Sequence, residues 1–322
     1  GILPIRRFLT FIKKNLGKKA YYYVPNVFWI NSSDRALMGT VILGFILSLL
    51  LMGHICTPLI LILLYVIHLS IVSIGQDFLS FGWEMFLLEI TFHAIFLSMT
   101  VIPNPFIWIS LNLVLFRFHF QGGAVKLQSR DPNWWNLTGV AYHYQTQPIP
   151  NMAAWYAYKL PLWFQKFSTA LMLIIELVIP FGIFVVNEEI RLFVFFCLVG
   201  LQFTIWATGN FSYLNYLTVV LCVILLSNHY LEPILGWNTA AEPSPVWLEI
   251  PLSLIGIALV FLQIINFWNS FIPNKIFAKI LRWLQPFHLA NRYGIFAVMT
   301  TKRYEVVIEG SDDGIHWKEY CF

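Results

Sequence analysis

A succession of about eight apolar runs, separated by short polar breaks, limits this chain to one fold class. The runs cover 36–55, 58–73, 86–101, 106–118, 167–186, 190–207, 213–226 and 245–267. Such a chain cannot cover itself with a water-facing surface. Only 11% of its residues are charged, against about 25% in a soluble domain. Its mean hydropathy is +0.70. In a bilayer every backbone polar group must be satisfied within the segment, which selects helices. The expected class is therefore an all-α polytopic membrane protein with about seven to eight membrane segments. Several runs fall short of the roughly 20 apolar residues of an upright crossing, so one or two are expected to be re-entrant.

The polar segments divide the chain. Residues 1–35 form a basic arm, in which Ile5, Phe8, Leu9, Phe11 and Ile12 alternate with Arg6, Arg7, Lys13 and Lys14. That pattern predicts an amphipathic helix lying on an anionic leaflet. The segment Asn31-Ser-Ser-Asp34 offers an N-cap to the helix after it. Helices fill 36–118 and 167–267, on either side of a central cap loop at 119–166. Residues 236–245 form a short Pro/Ala/Ser linker, and 268–289 a second interfacial helix. Residues 290–322 read as the start of a soluble β domain. There 304–309 and 315–322 alternate around Ser311-Asp-Asp-Gly314, which predicts a hairpin. The chain opens on Gly1 without Met and stops in mid-pattern, as a piece of a longer protein does.

Charge orients the helices. Lys and Arg concentrate in the arm, in 117–166 and in 275–318, while the loops at 187–190 and 229–246 carry none. An even number of crossings with a cytoplasmic N-terminus puts all three clusters on the cytoplasmic side. The net charge of +4 is too small and dispersed for a nucleic-acid partner.

Ionisable groups inside membrane segments are expensive and mark candidate sites. Gln76, Glu84, Glu89 and His93 form one such group, with Asn210 and Asn215 at a break in a later run. Glu89 and His93 are four apart and share a helix face. Such a pair can relay protons, or simply lock two helices together. No HExxH, ExxH or CxxC is present, so no metal is expected. In the central loop, Tyr142 to Thr146 alternate like an extended segment ended by Pro148. There His143 is either an acid/base or a structural hydrogen-bonder. No nucleophile motif accompanies it. The tryptophans and tyrosines of the loop suit an interfacial belt or a surface for an apolar partner. Asn136 begins an Asn-Leu-Thr glycosylation motif.

Five stretches then carry a resemblance. They are SIGQDFLSFGWEMFLLEITF (73–92), GGAVKLQS (122–129), DPNWWNLTGVAYHYQTQPIPNMAAWY (131–156), TGNFSYLNYLT (208–218) and RYGIFAVMTTKRYEVVIEGSDDGIHWKEY (292–320). In this order they resemble the lipase maturation factor family. TGNFSYLNYLT is also distantly similar to the membrane portion of vitamin K-dependent gamma-carboxylases. The resemblance implies a multi-pass endoplasmic-reticulum membrane protein (plasma membrane for a bacterial source) that helps secreted lipases fold and dimerise. It implies no covalent chemistry and no cofactor. It also implies that the C-terminal region faces the lumen and meets the client. Asp131, Trp134, Tyr142, His143, Tyr144, Gln145 and Pro148 are then the candidate functional positions of the cap. The carboxylase likeness leaves two alternatives: an enzyme or carrier for a lipid or quinone-like substrate, with Glu89, His93 and His143 as its chemistry, or a non-catalytic scaffold.

Overall fold

The computed structural model describes residues 3–236, 244–304 and 306–320. Helices dominate. Among the described residues, five are long and apolar enough to cross a membrane: Asp34–Met52, Thr57–Leu79, Leu162–Phe184, Glu188–Thr208 and Val246–Phe271. A sixth crossing arises if Leu214–Leu225 and α13 (Asn228–Leu235), bent by 115° at their junction, count as one. The number is lower than the apolar runs suggested. The reason lies in two central helices. α5 (Gly82–Leu97) has only 16 residues. α6 (Pro105–Gln128) carries Arg117, His119 and Lys126 buried within it. Neither presents an apolar wall to lipid; both are enclosed by other helices.

The chain enters through α1 (Ile5–Leu16) and α2 (Ala20–Tyr23). Ser33 caps α3 (Asp34–Met52) by accepting from the Ala36 N–H, as expected for the Asn-Ser-Ser-Asp turn. α4 (Thr57–Gly75) follows with Pro58 in its first turn, where a missing N–H costs nothing.

Hydrogen bonds set the helix directions. α6 and α14 (Val246–Phe271) run parallel. Asn104 joins Glu249 and Ser253 at one end, and Gln121 joins Ser270 at the other. They approach closely because a Cβ on Gly256 would sit 2.6 Å from the Phe106 Cβ; small residues permit such backbone contact in membranes. α11 (Glu188–Thr208) and α12 (Leu214–Cys222) are antiparallel. Asn215 binds Gln202 near one end, and Arg191 binds the Ile224 carbonyl near the other. The N-terminal arm meets α4 through Ser70, which accepts from the Val27 N–H. It meets α15 (Lys275–Leu284) through the Tyr22 hydroxyl on the Trp283 carbonyl. The arm, the ends of α4, α6 and α14, and α15 thus share one end of the bundle. The chain leaves this end at α3 and returns to it after α14.

Two local expectations change. The central segment is helical: α6 continues to Gln128, and α7 (Pro132–Trp135), α8 (Gly139–Thr146) and α9 (Met152–Tyr158) follow. Tyr142–Thr146 is therefore a helical turn and not an extended segment. Its alternation arises because α8 is packed on several sides within the cap. The C-terminal region opens with a strap, residues 288–303, threaded among the helices. The hairpin follows it with strands of only two residues, β1 (Glu309–Gly310) and β2 (Lys318–Glu319), paired antiparallel. Most of the expected linker at 236–245, together with Glu305, Cys321 and Phe322, lies outside the described residues.

Candidate functional site: a cap clamped by a C-terminal strap

Asp131 begins the cap. Its Oδ1 accepts from the Asn133 N–H at 2.9 Å and from the Asn133 amide at 2.8 Å. Its Oδ2 accepts from the Met299 N–H at 2.6 Å. One carboxylate thus caps α7 and ties down the strap. Burial opposes its charge, but the Met299 and Asn133 donors outweigh that and hold its pKa below the ordinary value, as hydrogen bonding to a charged form must. Trp134 is 2% exposed. Its indole N–H is shared between the Phe296 and Ala297 carbonyls at 3.0 and 3.2 Å. Lys126 Nζ lies 5.5 Å from the ring centroid. The same ammonium pairs with Glu176 of α10 (Leu162–Leu177) at 2.7 and 2.8 Å, and donates to the Gly122 carbonyl.

His143 sits between aromatics. Its ring lies 4.8 Å from Phe296 of the strap and 6.1 Å from Phe211. Burial, then the charge of Lys126, pull its pKa down to about 4, so it is a neutral wedge at physiological pH. Tyr142 contributes its carbonyl to the Thr146 hydroxyl. Tyr144 is half-buried, and burial raises its pKa. Gln145, Pro148 and Asn136 are exposed. The glutamine that organises this corner is Gln147. Its amide donates to the Thr208 carbonyl at 2.7 Å, and its own carbonyl accepts from Arg303.

Below the cap, Glu89 is completely buried. Its Oε1 accepts from Arg117 Nη2 at 2.6 Å. Its Oε2 accepts from the Asn291 backbone N–H at 2.8 Å, the Asn291 amide at 3.0 Å and the Tyr293 hydroxyl at 2.6 Å. Arg117 Nη1 donates to the Asn291 carbonyl at 2.9 Å, and the guanidinium lies 5.6 Å from the Tyr293 ring centroid. The strap is thus keyed into the bundle by ion pair, hydrogen bonds and cation–π contact together. His93 Nδ1 lies 2.8 Å from the Glu89 carbonyl and Nε2 lies 2.8 Å from Ser110 Oγ. A carbonyl only accepts, so Nδ1 carries the proton and Nε2 receives one from Ser110.

The six intramembrane candidates therefore do not form one cluster. Glu89 and His93 belong to the network just described. Glu84 sits 3.1 Å from His68 Nε2. Asn215 binds Gln202. Asn210 is exposed and caps a turn through the Ser212 N–H. Gln76 stands at the break after α4 with φ +49°.

This geometry bears on chemistry. Four donors meet the Glu89 carboxylate, one on Oε1 and three on Oε2, and the side chain is wholly enclosed by protein. Neither of the two clefts at this end of the bundle is lined by Glu89, His93 or His143.

Reading the sequence alone missed Arg117, Lys126, Gln147, Asn291, Tyr293 and Met299. For Arg117 a signal existed: a guanidinium inside an apolar run demands a buried partner. Asn291 and Tyr293 stand in a stretch with no periodicity, and nothing local announces their burial.

Comparison with known proteins adds a second line. Residues 1–233 match the family described as "Lipase maturation factor transmembrane domain". Lipase maturation factor 2 of Gallus gallus is 36% identical over 84% of this chain and 40% of its own length. Its Xenopus tropicalis counterpart is 38% identical over 72% of this chain and 35% of its own length. Lipase maturation factor 1 of Bos taurus is 27% identical over 100% of this chain and 64% of its own length. The chain thus spans between 35% and 64% of the length of these relatives. No solved structure matches it.

Proposed function

The chain belongs to the lipase maturation factor family, and on that premise we propose that it is the membrane part of an endoplasmic-reticulum maturation factor that helps secreted lipases fold and assemble as dimers. The cap and strap serve as a non-catalytic client surface. One observation carries the reading. The cap, clamped by the strap, presents the exposed large aromatics Trp135 on α7 and Trp155 and Tyr156 on α9, with exposed Trp163 at the start of α10. Exposed aromatics on a fixed scaffold suit an apolar partner.

Secreted clients are lumenal, so the cap end faces the lumen in this reading. That placement runs against the concentration of Lys and Arg in the N-terminal arm. It does not conflict with the charges of the cap and tail, because long loops and folded tails translocate largely regardless of charge. The test is co-expression with a secreted dimeric lipase. Wild type raises secreted lipase activity over vector, and Trp135→Ser/Trp155→Ser/Tyr156→Ser lowers it at matched membrane level and melting temperature. Full activity from the triple variant, or no gain from wild type, overturns the proposal.

A further inference from the structure

A cleft of about 650 Å³ opens where α15 meets the N-terminal arm and the end of α4. Lys279, Arg282, Gln285, His288 and Ser73 supply its polar wall, with Trp283 beside them. Lys279 and Arg282 are three apart on α15 and so project from one face. Arg282 uses only Nε, on the Ala278 carbonyl at 3.2 Å, which leaves its terminal nitrogens available. Among the described residues neither cation has a carboxylate within ion-pair distance. The sequence explains why. No Asp or Glu occurs before Asp34 or between Ile272 and Tyr304, while Arg6, Arg7, Lys13, Lys14, Lys18, Lys19, Lys275, Lys279 and Arg282 all do. The basic segments that build the cleft thus bring no carboxylate of their own to pair with Lys279 or Arg282.

The surroundings place this charge at a bilayer surface. α1 and α15 are amphipathic, with exposed Phe11, Ile276 and Trp283 among their cations, the composition of helices that lie in the headgroup layer. Tyr22 braces the two elements, stacking on Trp283 at 6.3 Å and meeting Phe287 edge-on at 5.5 Å. Phe287, flanked by Pro286 and His288 of the first cleft, lines a second cleft of about 650 Å³ whose walls are mainly apolar and include Val27, Trp29, Tyr65 and Leu69. The basic and the apolar cleft thus meet at residues 286–288.

We propose that this pair of clefts is a specific site for one anionic glycerophospholipid. The phosphate-bearing headgroup pairs with Lys279 and Arg282, and an acyl chain fills the apolar side. The guanidinium binds phosphate oxygens as a fork, and the ammonium binds as a point charge.

The test is native mass spectrometry of the delipidated chain titrated with phosphatidylglycerol, phosphatidylcholine or inorganic phosphate. One phosphatidylglycerol is retained in preference to phosphatidylcholine. Lys279→Gln/Arg282→Gln weakens retention about tenfold or more, as expected for two lost charge-assisted contacts. Arg6→Gln/Arg7→Gln, at the start of α1 and lining neither cleft, leaves retention near wild type. Both cleft residues lack carboxylate partners, so the apo melting temperature of the variant stays unchanged and separates binding from folding. Equal retention of the two lipids, or wild-type retention by the cleft variant, overturns the proposal. Binding of inorganic phosphate without phosphatidylglycerol also overturns it, because the site would then serve a soluble anion.

Discussion

Replacing Glu89 with Gln tests the buried network most directly. The change keeps the side chain's shape and removes its charge. Arg117, wholly buried, then holds a guanidinium with no anion. Removing one partner of a buried pair costs about 3–5 kcal/mol. A single amide oxygen also replaces two carboxylate oxygens that serve Arg117, Asn291 and Tyr293. At least one of those donors loses its acceptor, worth roughly 1–3 kcal/mol. The two losses share one centre and do not add fully, so the expected destabilisation is about 4–6 kcal/mol. At about 2 °C per kcal/mol for a large domain, the melting temperature falls roughly 8–12 °C. The assay is thermal unfolding in detergent, with trypsin reporting strap release at Arg292 and Arg303. Glu89→Met/Arg117→Met removes both charges and recovers much of the loss, because an apolar replacement of a buried pair is often neutral. A shift of Glu89→Gln below about 2 °C, with Arg292 and Arg303 still protected, would refute the assigned role of the network.

Four further outcomes follow from the same geometry. Lys126→Met leaves Glu176 buried without its cation and costs about 3 kcal/mol by thermal unfolding, and a second change, Glu176→Met, restores most of it. Gly256→Ala places a Cβ 2.6 Å from the Phe106 Cβ and 2.9 Å from the Ile107 nitrogen, so α6 and α14 separate at a cost of about 1–3 kcal/mol. His143 has a folded pKa of about 4, below its ordinary 6.5; protons therefore bind the unfolded cap more readily, and cap stability falls as pH drops from about 6.5 toward 4. Hydrogen exchange in α8 at pH 4.5 and 7 reads this, and His143→Gln flattens the dependence. Asn136, exposed on the cap, is glycosylated if the cap end is lumenal. An unmodified Asn136, alongside modification of a sequon introduced at 185–187, would place the cap away from secreted clients.

Much of the helical framework was legible because its signal is local. Apolar runs, the Ser33 cap, Pro58 in a first turn and the amphipathic faces of α1 and α15 each depend on residues within a few positions. The crossing count was less legible. α5 and α6 resemble spans in apolarity, yet Arg117 and Lys126 show that α6 is sheathed by protein. In the cap, Asp131 and Trp134 were identified on the sequence, and both meet the strap. Gln145 was also singled out, but the contacts fell to Gln147, two positions on. Within an apparently extended segment nothing reveals which glutamine faces inward, because a helical turn redistributes the faces.

The sequence by itself determined a polytopic helical membrane protein, its basic amphipathic helices and its family. Hydrophobic patterning and short motifs are properties of contiguous residues, and they need no partner to be read. Only the tertiary structure decided what the polar residues inside the membrane segments do. Arg117 and Asn291 are 174 positions apart, and Asp131 and Met299 are 168 apart. A buried charge states only that it must be paired. Which group pairs it depends on how the chain returns to the same end of the bundle. That return is what brings Asn291 and Tyr293 of the strap onto the Glu89 carboxylate.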